Sequence, residues 1–137
     1  MTDHDATTLV QEAMPFCATL GVRVDKYAAE GVGFSLDWAP ALCTSNGILH
    51  GGVIMALADS AGASCAFLNL PKDASGTSTI ESKTNFLGAV RSGTVTAIAT
   101  PLHIGGTTIV VETAVRDTTG RLVAKVTQTQ IVLRPRS

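Results

Sequence analysis

The stretch Asn46-Gly47-Ile48-Leu49-His50-Gly51-Gly52-Val53-Ile54-Met55-Ala56-Leu57-Ala58-Asp59-Ser60-Ala61 constrains this chain more than any other, because it opens a helix that is apolar on nearly every side. Such a helix has to be covered by other elements on most of its faces. One carboxylate, Asp59, interrupts the apolar run. Ionised Asp is seldom buried without a partner, so a carboxylate on a core helix is a candidate for acid–base or nucleophilic work. Gly51 and Gly52 stand at the helix start. Without Cβ atoms their N–H groups can be approached closely, and the first amides of a helix lack internal partners, so this end can polarise an oxygen.

The segment from Val53 to Leu70 has about the length of a membrane span. Asp59, Ser60, Gly62, Ser64 and Asn69 interrupt it, and no Lys or Arg flanks its N-terminal side, so a buried helix is the expectation and no membrane partner is expected. At 137 residues with 45% hydrophobic content, the chain is read as a single domain, 1–137, with residues 1–19 as an N-terminal helical segment. A net charge of −1 offers no basic face for nucleic acid. The three cysteines, Cys17, Cys43 and Cys65, are odd in number and form no CxxC pair, which argues against a disulfide framework or zinc site. His4 and His103 lack metal-ligand spacing, so no metal is expected. The start Met1-Thr2-Asp3-His4-Asp5 is unlike the basic n-region of a secretory signal, and a reducing cytoplasm is the expected location.

Thr8 to Thr19 has a rough helical spacing weakened at Pro15. Leu20–Lys26 and Val32–Trp38 read as a hairpin turning at Ala29-Glu30-Gly31, and 39–49 as a loop leading into the Gly-Gly helix start. Beyond the helix and the turn-rich 71–76, four strands are predicted at Ser78–Leu87, Thr94–His103, Thr107–Asp117 and Leu122–Leu133. Their separators are short, so successive strands are expected to be antiparallel neighbours. The order β-β-α-β-β-β-β predicts an α+β domain in which one curved antiparallel sheet wraps the helix.

The motif and this architecture together resemble the hotdog-fold thioesterases, particularly the phenylacetate-degradation and 4-hydroxybenzoyl-CoA thioesterase types. The likeness is carried by His50-Gly51-Gly52, Leu57-Ala58-Asp59-Ser60-Ala61, Glu81 to Leu87 and Arg91-Ser92-Gly93, and runs from about residue 15 to residue 133. The resemblance implies that Asp59 is the catalytic carboxylate, that the Gly51 N–H polarises the thioester carbonyl and that His50 lies beside the reacting centre. Relatives usually carry Asn or Gln where Thr44 stands, to orient water or the carbonyl; Asn46 lies two positions on, and either could take that role. Gly52, Ser64, Thr79, Arg91, Gly105 and Gly106 are the remaining candidates for contacts with substrate or coenzyme A. No cofactor is expected, since coenzyme A belongs to the substrate. The implied assembly is a homodimer, paired again into a tetramer.

Spacing makes an independent point. Eight residues separate Gly51 from Asp59, about 12 Å along a helix axis, so one chain cannot offer both to one carbonyl. An antiparallel copy of the helix across a two-fold axis would bring them together. For thioester hydrolysis the thiolate leaves readily, and one carboxylate with a helix terminus suffices, acting as general base or as nucleophile. Ala58-Asp59-Ser60-Ala61-Gly62 only half matches a G-x-S-x-G elbow and lies within a helix, which disfavours a serine hydrolase. Glu81 reads as a solvated strand residue. The alternatives are a hotdog hydratase or dehydratase acting on acyl thioesters, using His50 and Asp59, and a non-catalytic acyl-CoA-binding module.

Overall fold

The computed structural model describes residues 1–136. The N-terminal segment forms two helices, α1 (His4–Ala13) and α2 (Pro15–Leu20), where the spacing predicted one weakened helix beginning at Thr8. Asp3 caps α1 by accepting the Ala6 N–H at 2.9 Å, which starts the helix four residues early. Pro15 fits the first helical position, so it opens α2 rather than merely bending α1. Gly21, at φ +73°, ends α2 in a left-handed conformation. The strands β1 (Arg23–Ala28) and β2 (Gly31–Asp37) form the expected hairpin. Two single-turn 3-10 helices, Pro40–Leu42 and Ser45–Gly47, occupy the expected loop, and α3 runs from Gly51 to Leu68. Then come β3 (Gly76–Phe86), β4 (Thr94–Ile104), β5 (Thr108–Arg116) and β6 (Leu122–Leu133).

All six strands join one antiparallel sheet in the order β1-β2-β4-β5-β6-β3. The expectation that successive strands are neighbours therefore fails at β3 and β4. The chain leaves β3 at one edge, crosses the ends of β6 and β5, and enters beside β2. That is three strand spacings, roughly 14 Å, and the seven residues from Leu87 to Gly93 reach up to about 23 Å when extended. The crossing is held by Leu87 N–H donating to Val123 O and by Leu49 N–H donating to Val90 O, each at 2.8 Å.

The sheet curls round α3. Leu57, Ala58, Ala61 and Cys65 of the helix are fully buried against inward-facing Phe34, Val95, Ala97, Val111 and Val126. Small residues on this helical face let the backbone sit close to the strands. The helix is not covered all round, however, and here the structure corrects the reading of Asp59 as a buried carboxylate. One stripe of α3, comprising Gly52, Met55, Asp59 and Phe67, faces outward from the single chain. A six-stranded sheet wraps only one side, and among the described residues nothing lies over the other. Met55 at 41% and Phe67 at 58% exposure leave apolar surface beside the carboxylate.

Candidate active site

At the head of α3, His50 is the N-cap, and its Nδ1 accepts the Gly52 N–H at 2.7 Å. The ring proton of such an imidazole resides on Nε2. The cap occupies the Gly52 amide, while among the described residues nothing accepts the Gly51 N–H. Gly51 is thus the helix-terminal donor left open. Its missing side chain also matters, because a Cβ there would stand 3.1 Å from the Phe86 ring.

Asp59 lines a groove of about 400 Å³ together with Gly52, Met55, Ala56, Thr79 and Ser82. Two hydrogen bonds reach its carboxylate and both end on Oδ1: Thr79 Oγ1 donates at 3.0 Å and Gln128 Nε2 at 3.2 Å. None of the described residues donates to Oδ2. Thr79 and Ser82 are three positions apart, yet both line the groove, because β3 shifts register between Thr79 and Glu81 and leaves Ile80 as an extra residue. Without that bulge, period two would turn Ser82 to the opposite face from Thr79. Beneath Thr79 lie Gln128 and Gln130, which are 0% and 1% exposed, amides on the inward face of β6.

Sequence reading did not find Gln128, Gln130 or Ser82. A signal for the glutamines exists in Val126-Thr127-Gln128-Thr129-Gln130-Ile131-Val132, where period two sets both on the face of Val126 and Val132. The structure joins Asp59, Gly52 and Thr79 in one groove, and leaves the other candidates elsewhere in the single chain. Thr44 is exposed, its N–H donating to Ile48 O at 2.8 Å. Asn46 has φ +63°, a conformation that Asn tolerates, and its carbonyl accepts from the Arg91 guanidinium at 3.1 Å. Arg91 and Asn46 therefore brace the loop before α3. The Gly105-Gly106 turn is tied to the C-terminal tail by Arg134, which donates to Gly106 O at 2.6 Å and pairs with Asp73. Ser64 is buried and lines a separate apolar cavity of about 390 Å³ with Leu9, Ala13, Met14, Tyr27 and Phe67.

Neighbouring groups have other occupations. Ser60 Oγ donates to Ala56 O at 2.8 Å, inside its own helix. Burial pushes the Cys17 thiol above its ordinary value; the Ser60 hydroxyl opposes this and the Asp59 charge adds to it. Glu81 accepts from Thr129 Oγ1 at 3.0 Å on the outward face of the sheet. Among the described residues no cluster of three or more His, Cys, Asp or Glu is placed to hold a metal ion.

The chain and its fold have counterparts among known proteins. The chain is 30% identical over 123 residues to the Mycobacterium tuberculosis protein named "Putative esterase Rv1847", 88% of either length, and the solved structure of that esterase superposes with a TM-score of 0.86 over 90% of this chain and 100% of the other. The thioesterase HI1161 of Haemophilus influenzae, 27% identical, superposes at 0.85 over 92% of this chain and 88% of its own. The Pseudomonas aeruginosa thioesterase PA1618, solved as a mutant and 26% identical, does so at 0.88 over 97% and 95%. The sequence pattern of the thioesterase superfamily matches residues 46–124, from the loop before α3 into β6. The chain has the hotdog fold and belongs to the thioesterase superfamily.

Proposed function

We propose that this thioester hydrolase acts on acyl-CoA or aryl-CoA thioesters, with Asp59 as general base or nucleophile and the Gly51 N–H as the donor that polarises the thioester carbonyl. The observation that carries the reading is the one-sided grip on Asp59. The donors that reach the carboxylate approach Oδ1, so Oδ2 keeps its lone pairs for a water or for the carbonyl carbon, in a groove of about 400 Å³. The coenzyme A thiolate is a good leaving group, and the step asks only for an activated nucleophile and a stabilised oxyanion.

Within one chain the open Gly51 amide and Asp59 are about 12 Å apart along α3. The reading therefore includes a homodimer in which one copy gives the amide and its partner the carboxylate. The exposed apolar stripe on α3 supports such a partner, as does the outer edge of β3, which has no strand beside it among the described residues. The acyl group then has a place to go. Ala63 and Phe67 follow Asp59 on the same helical face, roughly 6 Å and 12 Å further on, and line the apolar cavity under α1. This supports an apolar acyl or aryl group over a charged one.

The test is a panel of acyl-CoA and aryl-CoA esters with detection of free thiol. Release of thiol from apolar acyl-CoA esters is expected. Loss of enoyl absorbance from crotonyl-CoA without free thiol would move the assignment to a hydratase, and tight binding with no turnover would make it a binding module.

A further inference from the structure

The inward strip of β6 places two amides between the apolar Val126 and Val132, and their orientation can be worked out from one end. The main-chain carbonyl of Ile131 can only accept, so Thr77 Oγ1, 2.9 Å away, donates to it. Thr77 Oγ1 then accepts from Gln130 Nε2 at 3.1 Å, which turns Gln130 Oε1 toward Gln128. That oxygen accepts from Gln128 Nε2 at 2.9 Å, and the remaining Gln128 N–H goes to Asp59 Oδ1. The second lone pair of Gln130 Oε1 faces Thr79 Oγ1, so the single proton of Thr79 is shared between that oxygen and Asp59 Oδ1, and the Gln128 N–H is the donor committed to Asp59. A flipped Gln128 would set its oxygen against two other oxygens.

This orientation is held against stability in two ways. Gln128 Oε1 is buried with no partner among the described residues, which costs the desolvation of that atom. It lies against Gly62 of α3, where a Cβ would come 2.0 Å from it, so the helix carries glycine, a weak helix former, at a buried mid-helix position. Both sacrifices centre on one amide whose outer N–H ends on Asp59. A core built for stability alone would place an apolar side chain there.

We propose that Gln128, anchored through Gln130 and Thr77 to the Ile131 carbonyl, is a positioning residue that works with Thr79 to lock Asp59 by Oδ1 and present Oδ2 to the thioester. The proposal rests on Asp59 being the reacting carboxylate. It is tested with Gln128→Met, Gly62→Ala and Thr79→Val, using hexanoyl-CoA and benzoyl-CoA with thiol detection, thermal unfolding, and side-chain amide NMR. Gln128→Met should lower kcat about 10-fold or more with KM within about 2-fold, while Tm stays level or rises because the orphaned oxygen is gone. Gly62→Ala should lower kcat similarly by displacing the amide, and should have no further effect on kcat in a Gln128→Ala background. Thr79→Val, at the groove surface, should also lower kcat and carries the kinetic test if Gln128→Met does not fold. The Gln128 NH₂ protons should exchange slowly in the wild type and shift in Asp59→Asn. Unchanged kcat in Gln128→Met and Thr79→Val, with Asp59→Asn inactive, overturns the proposal and leaves the functional reading standing. Full activity in Asp59→Asn overturns the functional reading instead. The positioning role would then fall with it, because no reacting Oδ2 is left to present.

Discussion

Asp59 and His50 show how differently two polar residues of one helix can be employed. Asp59 is gripped on one oxygen by donors from β3 and β6, and its replacement by Asn keeps size and most hydrogen bonding while removing the basic or nucleophilic oxygen. Asp59→Asn should lower kcat by at least about 100-fold with an unchanged circular dichroism spectrum, and retention of more than about a tenth of wild-type turnover would strip Asp59 of its role. His50 spends its Nδ1 on the Gly52 amide. His50→Ala should cost about 1 kcal/mol of stability, read as a lowered Tm, through loss of the cap. At this scale the His50-Gly51-Gly52 and Asp59 signature was legible because the motif is contiguous. The role of Gln128 is hidden in the sequence, because it depends on β6 lying beside β3, which no local spacing near residue 59 reveals. Asn46 and Arg91 were legible as polar loop residues, but their mutual brace needs a left-handed turn that only the folded loop shows.

Among the elements, β3 departs furthest from expectation and has the most to say about assembly. Its range is close to that predicted, but its place differs: a short separator predicts a hairpin to β4, whereas the strand sits at the far edge against β6. The buried side of β6 explains the preference. Thr79 and Ser82 meet Gln130 and Gln128 across the pair, so the polar inner strip of β3 finds polar partners there, while the inward residues of β4, such as Val95, Ala97 and Ala99, are apolar. Among the described residues no strand covers the outer edge of β3, which is eleven residues long, with Ile80 at its bulge 59% exposed. An edge of this length and character is a template for pairing. If two copies pair antiparallel about the middle of β3, Ile80 and its counterpart lie near the axis, and Ile80→Lys brings like charges together there. Sedimentation should show this variant shifted toward monomer, with activity falling in step with dimer content. An intact dimer would place the interface elsewhere.

For the whole molecule the decisive question is whether a site is drawn from two chains, and the structure makes one variant unusually clean for asking it. Gly51 is the first helical residue after the His50 cap, the position where proline is best accepted, and His50 has φ −60° and ψ 134°, the extended conformation that a following proline requires. Gly51→Pro should therefore fold with α3 intact, moving only the half-exposed Phe86 ring beside it, while lacking the one N–H assigned to the oxyanion. Gly51→Pro and Asp59→Asn chains should each be inactive as homodimers. In a mixed dimer, the site that takes its amide from the Asp59→Asn chain and its carboxylate from the Gly51→Pro chain is whole, and the other site carries both lesions. With random pairing half of the dimers are mixed and half of their sites are whole, so subunit exchange at equal concentrations should restore up to about a quarter of wild-type activity per site. If both variants fold, exchange is verified by mass, and no activity returns, amide and carboxylate do not serve one carbonyl across a two-fold axis.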